Sequence, residues 1–548
     1  MSGRHPSFIE GPTLVDTVPP LNLPEFIRAR ARLCVHDVAL VDADSGRQFT
    51  YGTLDQLIGR CAAGWAAHGL KAGDVLVMFA PNSIEWPIAA LGAMSAGGVV
   101  SGANPGYAAH DLARQMRDAS ARYVFTVPAL LATVREAVAQ AGDVSIVLLG
   151  EAHGVIDFAS LLACRDTEPA RSVGPDSLAA LPYSSGTTGM AKGVMLSHRA
   201  LVSNVCQYTQ VWPTPPGAVM LAFLPMFHIT GFTVVTLCGL ATGAKVVTLP
   251  RFEPASFLHA MAVHRVSHLS TVPPVMQFLA LHPLLDAYDL SALQMVGCGA
   301  APLGAALERK VSQRLKCQVG QGFGMTESSG CVTVTPPHLI RPGSSGCLLP
   351  GTQARVVDPT TGADVAPGAQ GELWFRGPQA FSGYRQQPEA TREALTADGW
   401  VRTGDVGFFD VDGYLFVTDR LKELIKVKGF QVAPAELEAL LATHPLVVDA
   451  AVIGRPDERA GELPVAYVVA RDVRDGSELS EQIKAWFGQR VAAYKQLADV
   501  VLCETIPKSA AGKILRQSLR TQDAQRVAGE GSSLGMSSDA STTTPAIR

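Results

Sequence analysis

Residues 183–198 read YSSGTTGMAKGVMLSH. Ser184, Ser185, Thr187, Thr188 and Ser197 bring hydroxyls, Gly186, Gly189 and Gly193 free the backbone, and Lys192 brings one cation. Glycines let successive N–H groups point at one spot, and hydroxyl donors accommodate many oxygens. The chemistry that suits this composition is phosphate binding. It is not the P-loop of kinases and small GTPases, which needs Gly directly before the Lys and Ser or Thr directly after it. Here the neighbours are Ala191 and Gly193. No helix follows at once either: GVML reads as a short strand, and Ser197 as the N-cap of a helix over HRALVSNV. An ordinary Gly/Ser-rich turn would share this composition, but the density of donors beside Lys192 favours phosphate.

Other clusters could also do chemistry. GQGFGMTE, residues 320–327, sets an aromatic between glycines, then Thr326 and Glu327. Its spacing is wrong for a dinucleotide fingerprint. RTGDVGFFD holds Asp405 in what reads as a glycine-flanked turn. Arg420, Lys422, Lys426 and Lys428 crowd one short run, which by itself reads as a solvated charged segment. PKSAAGKILR places Lys513 in a second flexible glycine loop. His264 and His268 have a metal-like spacing but no HExxH motif and no nearby carboxylate, so a helix end running into the strand HLSTV accounts for them.

These residues need a scaffold. With 548 residues the chain is long enough for more than one domain, and 47% hydrophobic against 17% charged residues leaves ample material for cores. The formal net charge of −4 and the lack of a long Lys/Arg run argue against a nucleic-acid partner. The 10 cysteines form no C-x-x-C pair, which argues against a disulfide framework or zinc site and suits a reducing cytoplasm. MSGRHPSFIEGP has no apolar core of a signal peptide. The most apolar run, residues 231–249, is interrupted by glycines and Lys245, so a buried helix and strand is expected there and no membrane span.

Up to about residue 340 helical and strand patterns alternate: TYGTLDQLIGRCAAGWAAHGL, DVLVMFA, SIEWPIAALGAMSAGG, VVSGAN, then AKVVTL, HLSTV and LQMVGCG. That is the pattern of an α/β fold with largely parallel strands. From about 343 short strands separated by Gly, Pro and Asp (TQARVVD, GELWFRG, GYLFVTD) predict a small β-rich, barrel-like subdomain ending near 419, with a hairpin turn at Asp412-Gly413. A compact α+β domain follows, with the helix VAPAELEALLATHP between two prolines. Residues 523–548, rich in Ser, Thr, Gly and Ala, are expected to be disordered.

Taken together and in this order, SSGTTGxxKGVMLSH, GFGMTE, TGD, DRLKELIKVKGFQVAPAELE and GKILR resemble the adenylate-forming superfamily of acyl-CoA synthetases, luciferases and nonribosomal-peptide adenylation domains. The 4-coumarate–CoA ligase branch is the nearest resemblance, over about residues 25–520. It implies an N-terminal adenylation domain (1–419) of two α/β subdomains plus the β-rich one, a hinge at 420–422, and a mobile C-terminal domain (423–522). It implies ATP, Mg²⁺ and coenzyme A as cofactors and a carboxylic acid as substrate. The loop Ser184, Ser185, Gly186, Thr187, Thr188, Gly189 and Lys192 would hold the β- and γ-phosphates. Gly322, Phe323 and Gly324 would frame adenine, with Phe323 stacked on it. Thr326 would touch the α-phosphate and Glu327 would hold Mg²⁺. Asp405 would accept the ribose hydroxyls, assisted by Arg420. Lys513 would neutralise carboxylate and phosphate oxygens during adenylation. Lys426 and Gln431 would act around the phosphate and acyl group. Lys422 would be the hinge residue, and rotation about it would bring the face near Lys428 and Gly429 to the coenzyme A channel as Lys513 leaves.

The chain departs from that branch at several positions. Ala191 stands for a usual Pro and Ala511 for a frequent Ser. His228 is kept beside the acyl site, but Thr230 stands where hydroxycinnamate-specific relatives carry Tyr, and Gly330-Cys331 where they tend to have Pro-Val. Both changes remove bulk. A widened, largely apolar pocket lined by Thr230, Val272, Cys298, Gly299, Ala300, Met325, Gly330 and Cys331 is expected, for an acid bulkier than 4-coumarate. A stand-alone enzyme that loads a carrier protein and a luciferase-like monooxygenase are the alternatives. GSSLG at 531–535 matches a serine-hydrolase motif, but lacks the strand and helix of a nucleophile elbow.

Overall fold

The run VLVMF has no polar face, so it can be a strand only where both sides are covered. In a computed structural model of the chain, Val75–Phe79 is buried along its whole length near the middle of a seven-stranded sheet. Residues 8–165, 173–184, 191–428, 430–471, 476–509 and 512–534 are described. Val99–Gly102 and Ala121–Thr126 flank it in parallel register. Helix Glu85–Ser95, buried on all sides, packs over this layer, and its Trp86 meets Phe232 edge-on at 5.2 Å between centroids.

A second, nine-stranded sheet carries the central strands Gln318–Phe323, Met295–Cys298, His268–Thr271, Val219–Ala222, Lys245–Thr248 and Val38–Asp42, parallel to one another, with antiparallel strands at both edges. In parallel sheets of this kind ligands bind beyond the carboxyl ends of the strands. His264 caps helix Pro254–Val263 and His268 opens the next strand, the helix end running into a strand that the sequence suggested. The β-rich subdomain is a five-stranded sheet in the order Ile9–Glu10, Gln353–Val357, Gly371–Arg376, Val401–Phe409, Leu415–Arg420.

By contacts the chain divides into two units, Met1–Val417 and Thr418–Arg548. The second is a separate α+β body. Its sheet runs Phe430–Val432, Ile425–Val427, Gly461–Ala470, Val447–Asp457, with Asp499–Leu502 also paired to Gly461–Ala470. Helices Pro434–Leu441 and Gly476–Gly488 cover it.

Three readings of the sequence change. The apolar run 231–249 does become helix then strand, but its first turns, Thr230–Leu237, are π-helical, continuing into the α-helix Cys238–Thr242. The Thr236 hydroxyl donates to the Gly231 carbonyl, five residues back, at 2.8 Å. Such π-turns concentrate at functional sites. Asp405 is not in a turn. It lies within strand Val401–Phe409, where the register slips between Trp374↔Arg402 and Glu372↔Val406. Residues 403–405 therefore form a bulge, which Gly404 allows with φ +69°. Last, the first part of the tail expected to be disordered from 523 is helical: one helix spans Arg516–Leu534. Composition missed it because tertiary docking holds it, with Leu519 packed in an apolar cluster and the Asp523 carboxylate accepting from Arg455 and Tyr467. Ser533 thus sits on helical backbone, and residues 535–548 lie outside the described residues. Among the described residues no helix is long and apolar enough to cross a membrane.

Candidate active site

Hairpin pairing builds the phosphate-loop candidate. Tyr183 pairs with Gly193 and Ser184 with Lys192, so the two ends of the loop lie side by side. Ser185, Gly186, Thr187, Thr188 and Gly189 fall outside the described residues. Beyond the hairpin, Ser197 caps helix His198–Val211 by accepting from the Ala200 N–H at 3.1 Å, as the sequence suggested.

Strand Gln318–Phe323 delivers the second motif. Gly322 and Phe323 end the strand, and Thr326 and Glu327 sit in a short 3₁₀ turn, Thr326–Ser328. Thr326 and Glu327 are buried. The Glu327 Oε1 accepts from the Ser184 hydroxyl at 3.0 Å and the Tyr384 hydroxyl at 2.8 Å, so this motif meets the first residue of the loop hairpin. Lys192 Nζ lies 4.9 Å from the Tyr384 ring centroid. Burial, then the charge of Glu327, pushes the Tyr384 hydroxyl well above the ordinary tyrosine range, keeping it a donor. Among the described residues no three His, Cys, Asp or Glu side chains gather as a metal cage. One buried carboxylate with a spare oxygen suits Mg²⁺ bound through phosphates and water, the usual mode for that ion.

Four of the acyl-pocket candidates lie at or just past strand ends. Val272 follows His268–Thr271, Cys298 ends Met295–Cys298, and Thr271 pairs with Cys298. Gly299 donates to the Thr271 carbonyl at 3.1 Å, and Ala300 takes the left-handed conformation. His228 Nδ1 accepts from the Thr230 N–H at 3.3 Å at the start of the π-helix. Burial pushes the Cys298 thiol up and the Cys331 thiol up to about 12, so both act as small apolar groups. Met325 precedes the 3₁₀ turn that holds Glu327.

Gly330 has a reason beyond lost bulk. Its φ is +141°, and a Cβ there would meet Asn204 Oδ1 at 2.8 Å. Proline, fixed near −65°, could not adopt this backbone. Asn204 clamps the next residue, accepting from the Cys331 N–H at 3.0 Å and donating to its carbonyl at 2.8 Å. Gln207, three residues on, reaches the Pro350 carbonyl and Gln379. The sequence analysis passed over Asn204, Gln207 and Tyr384. A signal existed for two of them, since Asn204 and Gln207 are amides at helical spacing inside an apolar pattern.

Asp405 is buried within its bulge, and its backbone N–H donates to the Thr403 hydroxyl at 3.0 Å.

In the second unit, Lys426 and Gln431 face each other directly across the hairpin Ile425–Val427/Phe430–Val432, and both are exposed. Lys428 makes the turn with φ +49°; Gly429 lies outside the described residues. Arg420 ends a strand, and Lys422 is exposed in the turn that follows, where the N–H groups of Glu423 and Leu424 donate to the Arg420 carbonyl. Lys513 is half-buried, its N–H donating to the Ser509 hydroxyl at 3.2 Å. Three residues on, Arg516 donates to both Glu438 oxygens at 2.7 and 2.8 Å and pairs with Glu423.

Residues 27–385 match the AMP-binding enzyme family and residues 436–513 match the AMP-binding enzyme C-terminal domain. The chain belongs to the AMP-binding enzyme family. It is 41% identical to the 4-coumarate–CoA ligase-like 9 of Oryza sativa subsp. japonica, over 92% of this chain and 94% of that one. It is 38% identical to 4-coumarate–CoA ligase 3 of the same plant, over 92% of both chains. Among solved structures it resembles ATP-bound MatB from Rhodopseudomonas palustris, with TM-score 0.82, 30% identity and coverage of 92% of this chain and 99% of that one. An anthranilate CoA ligase in complex with anthranoyl-AMP has TM-score 0.85 at 24% identity, covering 92% of this chain and 97% of that one, a likeness of fold.

Proposed function

We propose that this chain is an ATP-dependent, AMP-forming acid–CoA ligase acting on a hydrophobic carboxylic acid bulkier than 4-coumarate. The reaction class follows from family membership across both domains and from relatives that bear the name of coenzyme A ligases. In the first half-reaction the acid's carboxylate oxygen attacks the α-phosphorus and pyrophosphate leaves. In the second, the coenzyme A thiol, losing its proton, attacks the acyl carbon and AMP leaves.

The observation that carries the assignment of roles is the meeting of Ser184, Glu327 and Tyr384 beside Lys192. Donors and a cation at that place suit a triphosphate whose charge shifts as pyrophosphate departs. Glu327 would hold Mg²⁺ through its second oxygen, and the ion would neutralise phosphate charge. Thr326 would contact the α-phosphate, Phe323 the adenine and Asp405 the ribose, with Arg420 assisting. Lys513 would serve adenylation. Lys426 and Gln431, on one face of a hairpin, would act around phosphate and acyl group, and Lys428 and Gly429 beside coenzyme A after rotation at Lys422. The acid would lie among His228, Thr230, Val272, Cys298, Gly299, Ala300, Met325, Gly330 and Cys331. A cytoplasmic location belongs to the same proposal.

The test is pyrophosphate release across cinnamates, fatty acids and polycyclic acids, with products identified by mass spectrometry. Acyl-CoA and AMP from a bulky acid, at higher kcat/KM than from 4-coumarate, is the expected result. Preference for 4-coumarate would sink the substrate reading. Transfer to a carrier protein and not to coenzyme A, or light from an adenylated luciferin, would replace the ligase reading.

A further inference from the structure

We infer that Tyr384 is a positioning residue of the nucleotide site, whose hydroxyl turns the Glu327 carboxylate toward the cation while its ring steadies Lys192. The inference deepens the function proposed above and rests on Glu327 being the carboxylate that holds Mg²⁺.

A carboxylate oxygen accepts through two lone pairs. Glu327 Oε1 has both engaged, by Ser184 at 3.0 Å and Tyr384 at 2.8 Å. Among the described residues no group donates to Oε2. Among the described residues the carboxylate is thus oriented, with Oε1 occupied and Oε2 turned elsewhere, where a ligand could take it. Without Tyr384, Ser184 alone would fix the group, and a single hydrogen bond leaves a carboxylate free to rock about its last torsion. Lys192 stands 4.9 Å from the ring centroid, within the range of a cation–π contact. One side chain therefore touches both the cation-binding candidate and the charged end of the phosphate hairpin.

The backbone makes Tyr384 a fixed point. Val194 bridges to Tyr384, and the Arg385 N–H donates to the Gly193 carbonyl at 2.9 Å. Ser382 and Gly383 exchange N–H···O bonds with Met195, each at 3.0 Å. The Phe381 N–H donates to the Glu327 carbonyl at 2.9 Å. The segment 381–385 is laced on one side to the strand after the phosphate hairpin and on the other to the turn that carries Glu327. The carboxylate geometry is thereby set by the same short segment that sets the hairpin, a supporting arrangement of the kind that tunes metal sites.

Binding without turnover tests this. ATP and AMP are titrated calorimetrically, with no acid present, at several Mg²⁺ concentrations. In Tyr384→Phe the ring stays and only the hydroxyl goes. ATP affinity in saturating Mg²⁺ should weaken about tenfold, the scale of one hydrogen bond to a charged group. AMP affinity, and ATP affinity without Mg²⁺, should stay within about twofold on the same scale. Tyr384→Leu should in addition weaken Mg²⁺-free ATP, because Lys192 loses its ring. Equal weakening of all three ligands in Tyr384→Phe would make the residue a merely structural support and overturn the inference, as would wild-type Mg²⁺ dependence. Glu327→Gln separates the two levels. If it binds ATP with the Mg²⁺ dependence of the wild type, the role given to Glu327 fails. If it loses that dependence while Tyr384→Phe keeps it, only Tyr384 is misassigned.

Discussion

The two units hold their candidate residues by different physics. In Met1–Val417 the candidate nucleotide-site residues Thr326, Glu327 and Asp405 are buried, and Glu327 accepts from the neutral hydroxyls of Ser184 and Tyr384. An amide network behind them, Asn204, Gln207 and Gln379, is also fully buried. In Thr418–Arg548 the candidates Lys422, Lys426, Lys428 and Gln431 are exposed, and the same unit contains a largely buried cluster of charges. Arg516 sits at its centre with Glu423, Glu438 and Asp419 around it. Burial pushes the Asp419 carboxyl up to about 6, although Arg516 opposes the shift. A site that must stabilise charge at one place gains from fixed, dry dipoles. Residues that must reach that charge in only part of a cycle gain from solvation and a tether. The lesson is that the first unit should respond to changes of shape and the second to changes of charge.

Removing the centre of the charged cluster should have the largest effect. Arg516→Met leaves three carboxylates without their cation, which for buried pairs costs about 3–5 kcal/mol. Hydrogen exchange should show loss of protection across residues 418–534 with little change in 8–417. Equal loss in both would erase the contrast between the units.

Lys513→Ala should come next. Loss of one charge-stabilising contact is worth roughly 3–4 kcal/mol, about a hundred- to a thousandfold in adenylation rate. Thioester formation from supplied acyl-AMP should persist, along with the fold. If both half-reactions fall together, Lys513 does not belong to one step alone.

A smaller effect should follow pH. The folded-state pKa of Asp419, about 6, lies above the ordinary value of 3.8. Between these values the folded protein keeps a proton that the unfolded chain has released. This group therefore favours folding at the acid end, and the contribution is lost as pH rises through about 6. The rise from 3.8 to about 6 corresponds to roughly 3 kcal/mol at most. Glu438, also pushed up by burial, acts in the same sense. Asp499 and Asp523, held low against burial by Arg455 and Arg526, act oppositely but only at more acid pH. Protection of the second unit should thus increase from pH 7 to pH 5, and Asp419→Asn should flatten that slope. A slope equal in both units would show that the cluster is not its source.

The mildest test is one of shape. Thr230→Tyr adds a ring at the proposed acyl site of the first unit, and overpacking a fitted site costs roughly 1–3 kcal/mol. The ratio of kcat/KM for a bulky acid to that for 4-coumarate should fall. An unchanged ratio would mean that Thr230 does not face the acyl group.

Much was legible in the chain itself. Alternating apolar runs named most strands and helices, because burial on both faces leaves parallel strands no polar positions. Ser197 pointed to a helix start, because capping chemistry is local. Tertiary structure alone decided the rest. It placed Asp405 in a bulge, since a register slip is a property of two paired strands. It turned Thr230–Leu237 into a π-helix and made Arg516–Leu534 one helix, since packing outweighs weak local propensity. It set Gly330 at a φ open to glycine because Asn204, distant in sequence, approaches it. And it brought Tyr384 to Glu327, 57 residues away in the chain, a contact no local pattern encodes.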